Sequence, residues 1–153
     1  MIDEEKRLQV IFSLISLAHE MRNAGFPKTS YSKILRETIY FVWEIRDVSK
    51  HSNLRKRSKA AEGLQASALD YDHAVPMRIV IETLLCAWPD KQEVEKVLRC
   101  FVHGVLITKE EHELLREKGL SSKMPNDWDG KDWTARYLKV GIELSALQGG
   151  EMA

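Results

Sequence analysis

Apolar residues recur at helical spacing along most of this chain. Leu8, Ile11, Phe12, Ile15, Ala18 and Met21 repeat at three and four, and Leu14 and Leu17 widen the stripe. Asp3 is placed to cap that helix, Glu4 and Glu5 favour its first turn, and Gly25 with Pro27 stops it. The pattern predicts a long first helix over residues 3–24. A second helix is capped by Thr29 or Ser30 and lined by Ile34, Leu35, Thr38, Ile39, Phe41, Val42, Ile45 and Val48. It is expected to end between Ser49 and Asn53.

The stretch Leu69–Trp88 organises the rest. It opens as a short β-prone run, passes through Asp72-His73 and reaches Pro76, whose fixed φ suits a first helical turn. Ile79, Val80, Thr83, Leu84, Ala87 and Trp88 then fall on one helical face, and Ile81 and Leu85 on a second. A helix apolar nearly all round is a buried one. Asp90 with Glu93, and Thr108 with Glu111, read as capping boxes for two further helices. The first carries Val94, Val97, Leu98, Phe101 and Val105 and is expected to end near Gly104. The second carries Leu114 and Leu115 and closes at Gly119. Asp132 caps a last helix with Trp133, Tyr137, Leu138 and Val140, ended by Gly141. Val105–Ile107 is short and β-branched and can pair with Leu69–Tyr71 as a minimal two-strand ribbon. The expectation is all-α: a single domain over 1–146 built as a bundle of five or six helices, with that ribbon at most, and a frayed tail over 147–153.

Composition narrows the class. The 153 residues are 44% hydrophobic and 30% charged, a globular balance with no low-complexity tract. The formal net charge is zero, so no global field draws the chain to nucleic acid or membrane, and any such partner must meet a local patch. Neutrality also eases self-association, which points to a homodimer. Cys86 and Cys100 lie in helical patterns without a CxxC pair and read as buried free thiols of a reducing cytoplasm. The opening MIDEEKRLQV is acidic and then amphipathic, unlike a signal peptide, and the apolar runs fall short of the roughly 20 residues of a membrane span. A cytoplasmic location is expected.

Three segments could carry chemistry. Asp72-His73 sets a carboxylate beside an imidazole, a pairing that serves a general base or a divalent metal. With Pro76 it resembles the opening of the HNH (His-Me finger) nucleases. That resemblance implies His73 as the base, Asp72 and His112 as metal ligands and a metal-bound phosphate as target; beside His112, Glu110 and Glu111 are further candidate ligands for Mg or Mn. That family places a second strand and an Asn between its first His and its helix, whereas here a helix is predicted directly after Pro76. Arg46 through His51 resembles the Arg-to-His signature of HEPN ribonucleases, compact α-bundles that act as dimers without metal. It implies Arg46 steadying phosphate charge and His51 moving a proton. The third segment, Lys50–Lys59, carries Lys50, Arg55, Lys56, Arg57 and Lys59 and no acid, the composition of a nucleic-acid contact or of a solvated loop.

A further loop, Lys123–Trp133, gathers Asp127, Asp129 and Asp132 with Trp128 and Trp133. The tryptophans read as clamps holding the loop to the body, and the spacing matches no calcium loop. Three functions remain open: a nucleic-acid-engaging, metal-dependent nuclease, a metal-independent ribonuclease, and a non-catalytic interaction protein such as an antitoxin, inhibitor or defence-system subunit.

Overall fold

The computed structural model describes residues 2–46 and 48–146, so the tail expected from 147 onward lies outside the described residues. The chain divides into two compact units, Met1–Asp47 with Met77–Arg99, and Val48–Pro76 with Cys100–Ala153.

The first unit is helical. Helix α1, Glu4–Asn23, begins as expected, with the Asp3 carboxylate accepting from the Lys6 N–H at 2.8 Å. Helix α2, Thr29–Thr38, runs on as a π-helical stretch, Ile39–Ile45, and stops there, short of the end expected between Ser49 and Asn53. Helix α3, Met77–Ala87, buries Val80, Ile81, Leu84 and Leu85, in keeping with its continuous apolar surface. It packs against both α1 and α2. Polar ties close the interior: Arg7 donates to the Val42 carbonyl at 2.8 Å, and the Trp88 indole N–H donates to Ser16 at 2.7 Å. Helix α4, Lys91–Phe101, opens on Asp90, whose carboxylate accepts from the Gln92 and Glu93 N–H groups. It ends at Phe101, before Gly104. Cys86 and Cys100 are exposed thiols, not the buried ones expected.

The second unit overturns the all-α expectation. Strands β1 (Lys56–Arg57), β2 (Leu69–His73) and β3 (Gly104–Thr108) form a mixed sheet in the order β1-β3-β2. β3 runs antiparallel to β2, with Tyr71 opposite Leu106, and parallel to β1. The expected ribbon is thus the larger part of a true sheet. Helices α5 (Lys109–Glu117) and α6 (Ala135–Val140) belong to the same unit. Together, the described residues hold six α-helices beside the three strands.

The sheet escaped the hydropathy pattern for physical reasons. β1 is two basic residues, too short for any alternation. β3 is buried at every position, and a short continuous apolar run does not distinguish a central strand from a piece of helix. Strand geometry then sorts the side chains. Asp70 and Asp72 share one face of β2, whereas Leu69, Tyr71 and His73 share the other. On the second face the Tyr71 ring lies so close to Gly104 that a Cβ there would stand 1.7 Å from the hydroxyl, which explains the glycine opposite His73. The other side of the sheet carries the core of the unit, Val105 and Ile107 with Leu115, Leu120, Tyr137 and Ile142.

Candidate functional site

β2 and the two helices that follow the sheet bring together two polar clusters of the second unit. Thr108 caps α5 in a complete capping box: its hydroxyl accepts from the Glu111 N–H, and the Glu111 carboxylate accepts from the Thr108 N–H at 2.9 Å. The same carboxylate oxygen accepts from the Ser58 hydroxyl at 2.6 Å, and Ser58 is fully buried. This bond fastens the end of the basic segment, where Arg57 and Lys59 flank Ser58, to the first turn of α5.

That turn also presents Lys109 and His112 to β2. The Lys109 ammonium donates to one Asp70 oxygen at 2.9 Å, and Nδ1 of His112 meets the other at 2.8 Å. These contacts, Lys109 foremost and His112 second, hold the Asp70 carboxyl below its ordinary range. A carboxylate can only accept, so Nδ1 is the donor in this contact and Nε2 is the ring nitrogen not bound to Asp70. The His112 side chain is about half exposed.

Asp72, two residues along the same face, is enclosed. Arg136, fully buried, donates to it at 2.9 Å, and the Tyr137 hydroxyl donates to the same oxygen at 2.6 Å. Arg136 further donates to the carbonyls of Leu120 and His73, each at 2.7 Å. The cluster is a saturated buried ion pair that fixes α6 to the end of β2.

The residues singled out in the sequence are therefore distributed as follows. Asp72 and His73 do not form a pair, because successive strand residues point to opposite faces. His73 is half-buried, its ring edge-on to Tyr71 at 5.7 Å. The set Asp72, Glu111 and His112 is not assembled as a metal site. Asp72 is bound by Arg136 and Tyr137, Glu111 by Thr108 and Ser58, and His112 by Asp70. Among the described residues no three His, Cys, Asp or Glu side chains gather as a metal would require. These donors do not fit a divalent ion, and no step is assigned to one.

Arg46 belongs to the first unit, where it donates to the Trp43 carbonyl at 2.8 Å and pairs with Glu4 at 3.3 Å. His51 belongs to the second and is half-exposed. In the basic segment, Arg57 donates to the Ser52 carbonyl at 3.0 Å and Arg55 to that of Ser49 at 3.2 Å. Lys56 lies 5.9 Å from the Trp133 ring, Lys59 pairs with Glu143 at 2.8 Å, and Lys50 is exposed. The tryptophans touch residues outside their loop: Trp128 packs on Phe101 with ring centroids 5.6 Å apart, and Trp133 stacks on His103 at 4.3 Å.

Ser58, Lys109, Tyr137, Asp70 and Arg136 are cluster members that the sequence did not single out. Arg136 gave no signal, since a cation inside a helix is ordinarily solvated. Asp70 did leave one: strand alternation puts it on the face of Asp72, and Lys109 and His112 are one turn apart on a capped helix. No protein-family model matches the chain, and no match is found among curated proteins or solved structures.

Proposed function

We propose that the protein engages nucleic acid through its second unit and acts there as a nuclease-like phosphodiesterase, the working element being β2, β3 and α5. The observation that supports this reading is the order of that element. A first strand ends in His73, a second strand pairs antiparallel with it, and a helix bearing His112 follows at once. That is the strand–strand–helix succession implied by the resemblance to the HNH nucleases, with α3 and α4 inserted between the strands. The bond from Ser58 to Glu111 ties the main chain of the basic segment to the start of the helix. Phosphate contacts there contribute affinity that weakens with salt.

Purified protein tested on labelled DNA and RNA, with Mg, with Mn and in EDTA, checks the reading. The double variant His73→Ala/His112→Ala is expected to lose cleavage while keeping the wild-type circular dichroism spectrum. Undiminished cleavage by that variant overturns the proposal.

A second reading, a protein-interaction module, is favoured by a different observation. The outer face of α5 carries Lys109, Leu114 and three carboxylates, Glu110, Glu113 and Glu117. Those carboxylates repel phosphate and suit a basic peptide. One stoichiometric protein partner, with no nuclease activity, would decide for it. The ribonuclease reading built on Arg46 and His51 draws no support from the geometry, because Arg46 already pairs with Glu4.

A further inference from the structure

We infer that Asp70, Lys109 and His112 form a self-sufficient proton-transfer site for RNA, cleaving it by attack of the ribose 2′-hydroxyl on the adjacent phosphorus. The inference rests on the nuclease reading above and narrows it to a substrate class, a base and a mode of attack. Its ground is the geometry of the cluster. Asp70 receives Nδ1 of His112 at 2.8 Å and Lys109 at 2.9 Å, so one carboxylate orients an imidazole and an ammonium together. All three side chains are partly open to solvent, unlike the enclosed Asp72.

Such a group can remove a proton and steady phosphate charge with the chain's own atoms. It supplies no nucleophile. RNA brings its own in the 2′-hydroxyl, and DNA has none.

The step balances as follows. Nε2 of His112 takes the 2′-hydroxyl proton, and the 2′-oxygen bonds to phosphorus as the bond from phosphorus to the 5′-oxygen breaks. The leaving 5′-oxygen takes a proton from water, and His112 returns its own to solvent. The products carry a 2′,3′-cyclic phosphate and a 5′-hydroxyl. In this scheme His112 is the catalytic base, Lys109 faces the phosphate, and Asp70 is a positioning residue acting through the ring.

A DNA oligonucleotide carrying one ribonucleotide, incubated with the full chain in EDTA, tests the inference. Cleavage is expected only at the ribonucleotide, leaving a cyclic phosphate identifiable by mass, with the all-DNA and 2′-O-methyl versions intact. His112→Ala is expected to lower the rate about 100-fold or more, and added imidazole to restore part of it. Asp70→Asn is expected to lower kcat with KM retained and no imidazole rescue.

Cleavage of the all-DNA strand in EDTA, or full activity of His112→Ala, overturns the inference. Cleavage that requires a divalent ion and His73 but not His112 overturns it too, while leaving the broader nuclease reading standing. Failure to cleave any nucleic acid removes both.

Discussion

Asp70 and Asp72 stand two residues apart on one face of β2, yet they live in different chemistry. Asp72 lies under α6, where a fully buried guanidinium and a tyrosine hydroxyl take up its oxygens. Asp70 lies by the first turn of α5, about a third exposed, and holds an imidazole and an ammonium that solvent can reach. The strand itself does not distinguish them. The covering helix does: α6 brings a fully buried cation, and α5 brings groups that remain about half exposed. Buried pairs of the first kind hold a fold in register and are unsuited to turnover, because loss of either member leaves a charge stranded in the interior. Pairs of the second kind contribute little to stability, and that leaves them available for chemistry.

Arg136→Met breaks the comparison at its rigid end and carries the largest expected effect. Asp72 would remain buried with only Tyr137 beside it, at a cost of about 3–5 kcal/mol, measured by urea unfolding. A loss under about 1 kcal/mol would mean that water reaches the carboxylate.

At the open end the effect is small and its sign is fixed. The Asp70 carboxyl is held below its ordinary range by Lys109 and then by His112. Its contribution is therefore present above the unfolded value of about 3.9 and fades as pH falls through the lower folded value. The stability gap between wild type and Asp70→Asn is expected to be about 0.2–1 kcal/mol at neutral pH, discounted for exposure, and to shrink in acid and at high salt. A gap that widens in acid would contradict the assignment.

The helical skeleton was readable because its signals are local. Asp3 and the Thr108–Glu111 box cap the helices they were expected to cap, and Gly119 and Gly141 take the positive φ that ends them. The sheet was only half readable. Two β-prone runs point to the pairing of β2 with β3 but not to its register, and β1 shows itself only when its main chain meets Val105 and Leu106.

The site was least readable of all. Asp72 and His73 are adjacent in sequence, and adjacency on a strand is separation across a sheet. The contact between Asp70 and His112 joins residues 42 positions apart and depends on the register that brings the end of β3 beside the start of β2. Arg136 reaches Asp72 from 64 positions away, and no local pattern encodes that bond.

Urea unfolding of Asp70→Asn and Asp72→Asn, side by side at neutral pH, tests the division of β2 most directly. The account predicts that Asp70→Asn stays within about 1 kcal/mol of the wild type and that Asp72→Asn, which strands the Arg136 charge, loses about 3 kcal/mol or more. Equal losses, or a larger loss at Asp70, would contradict it.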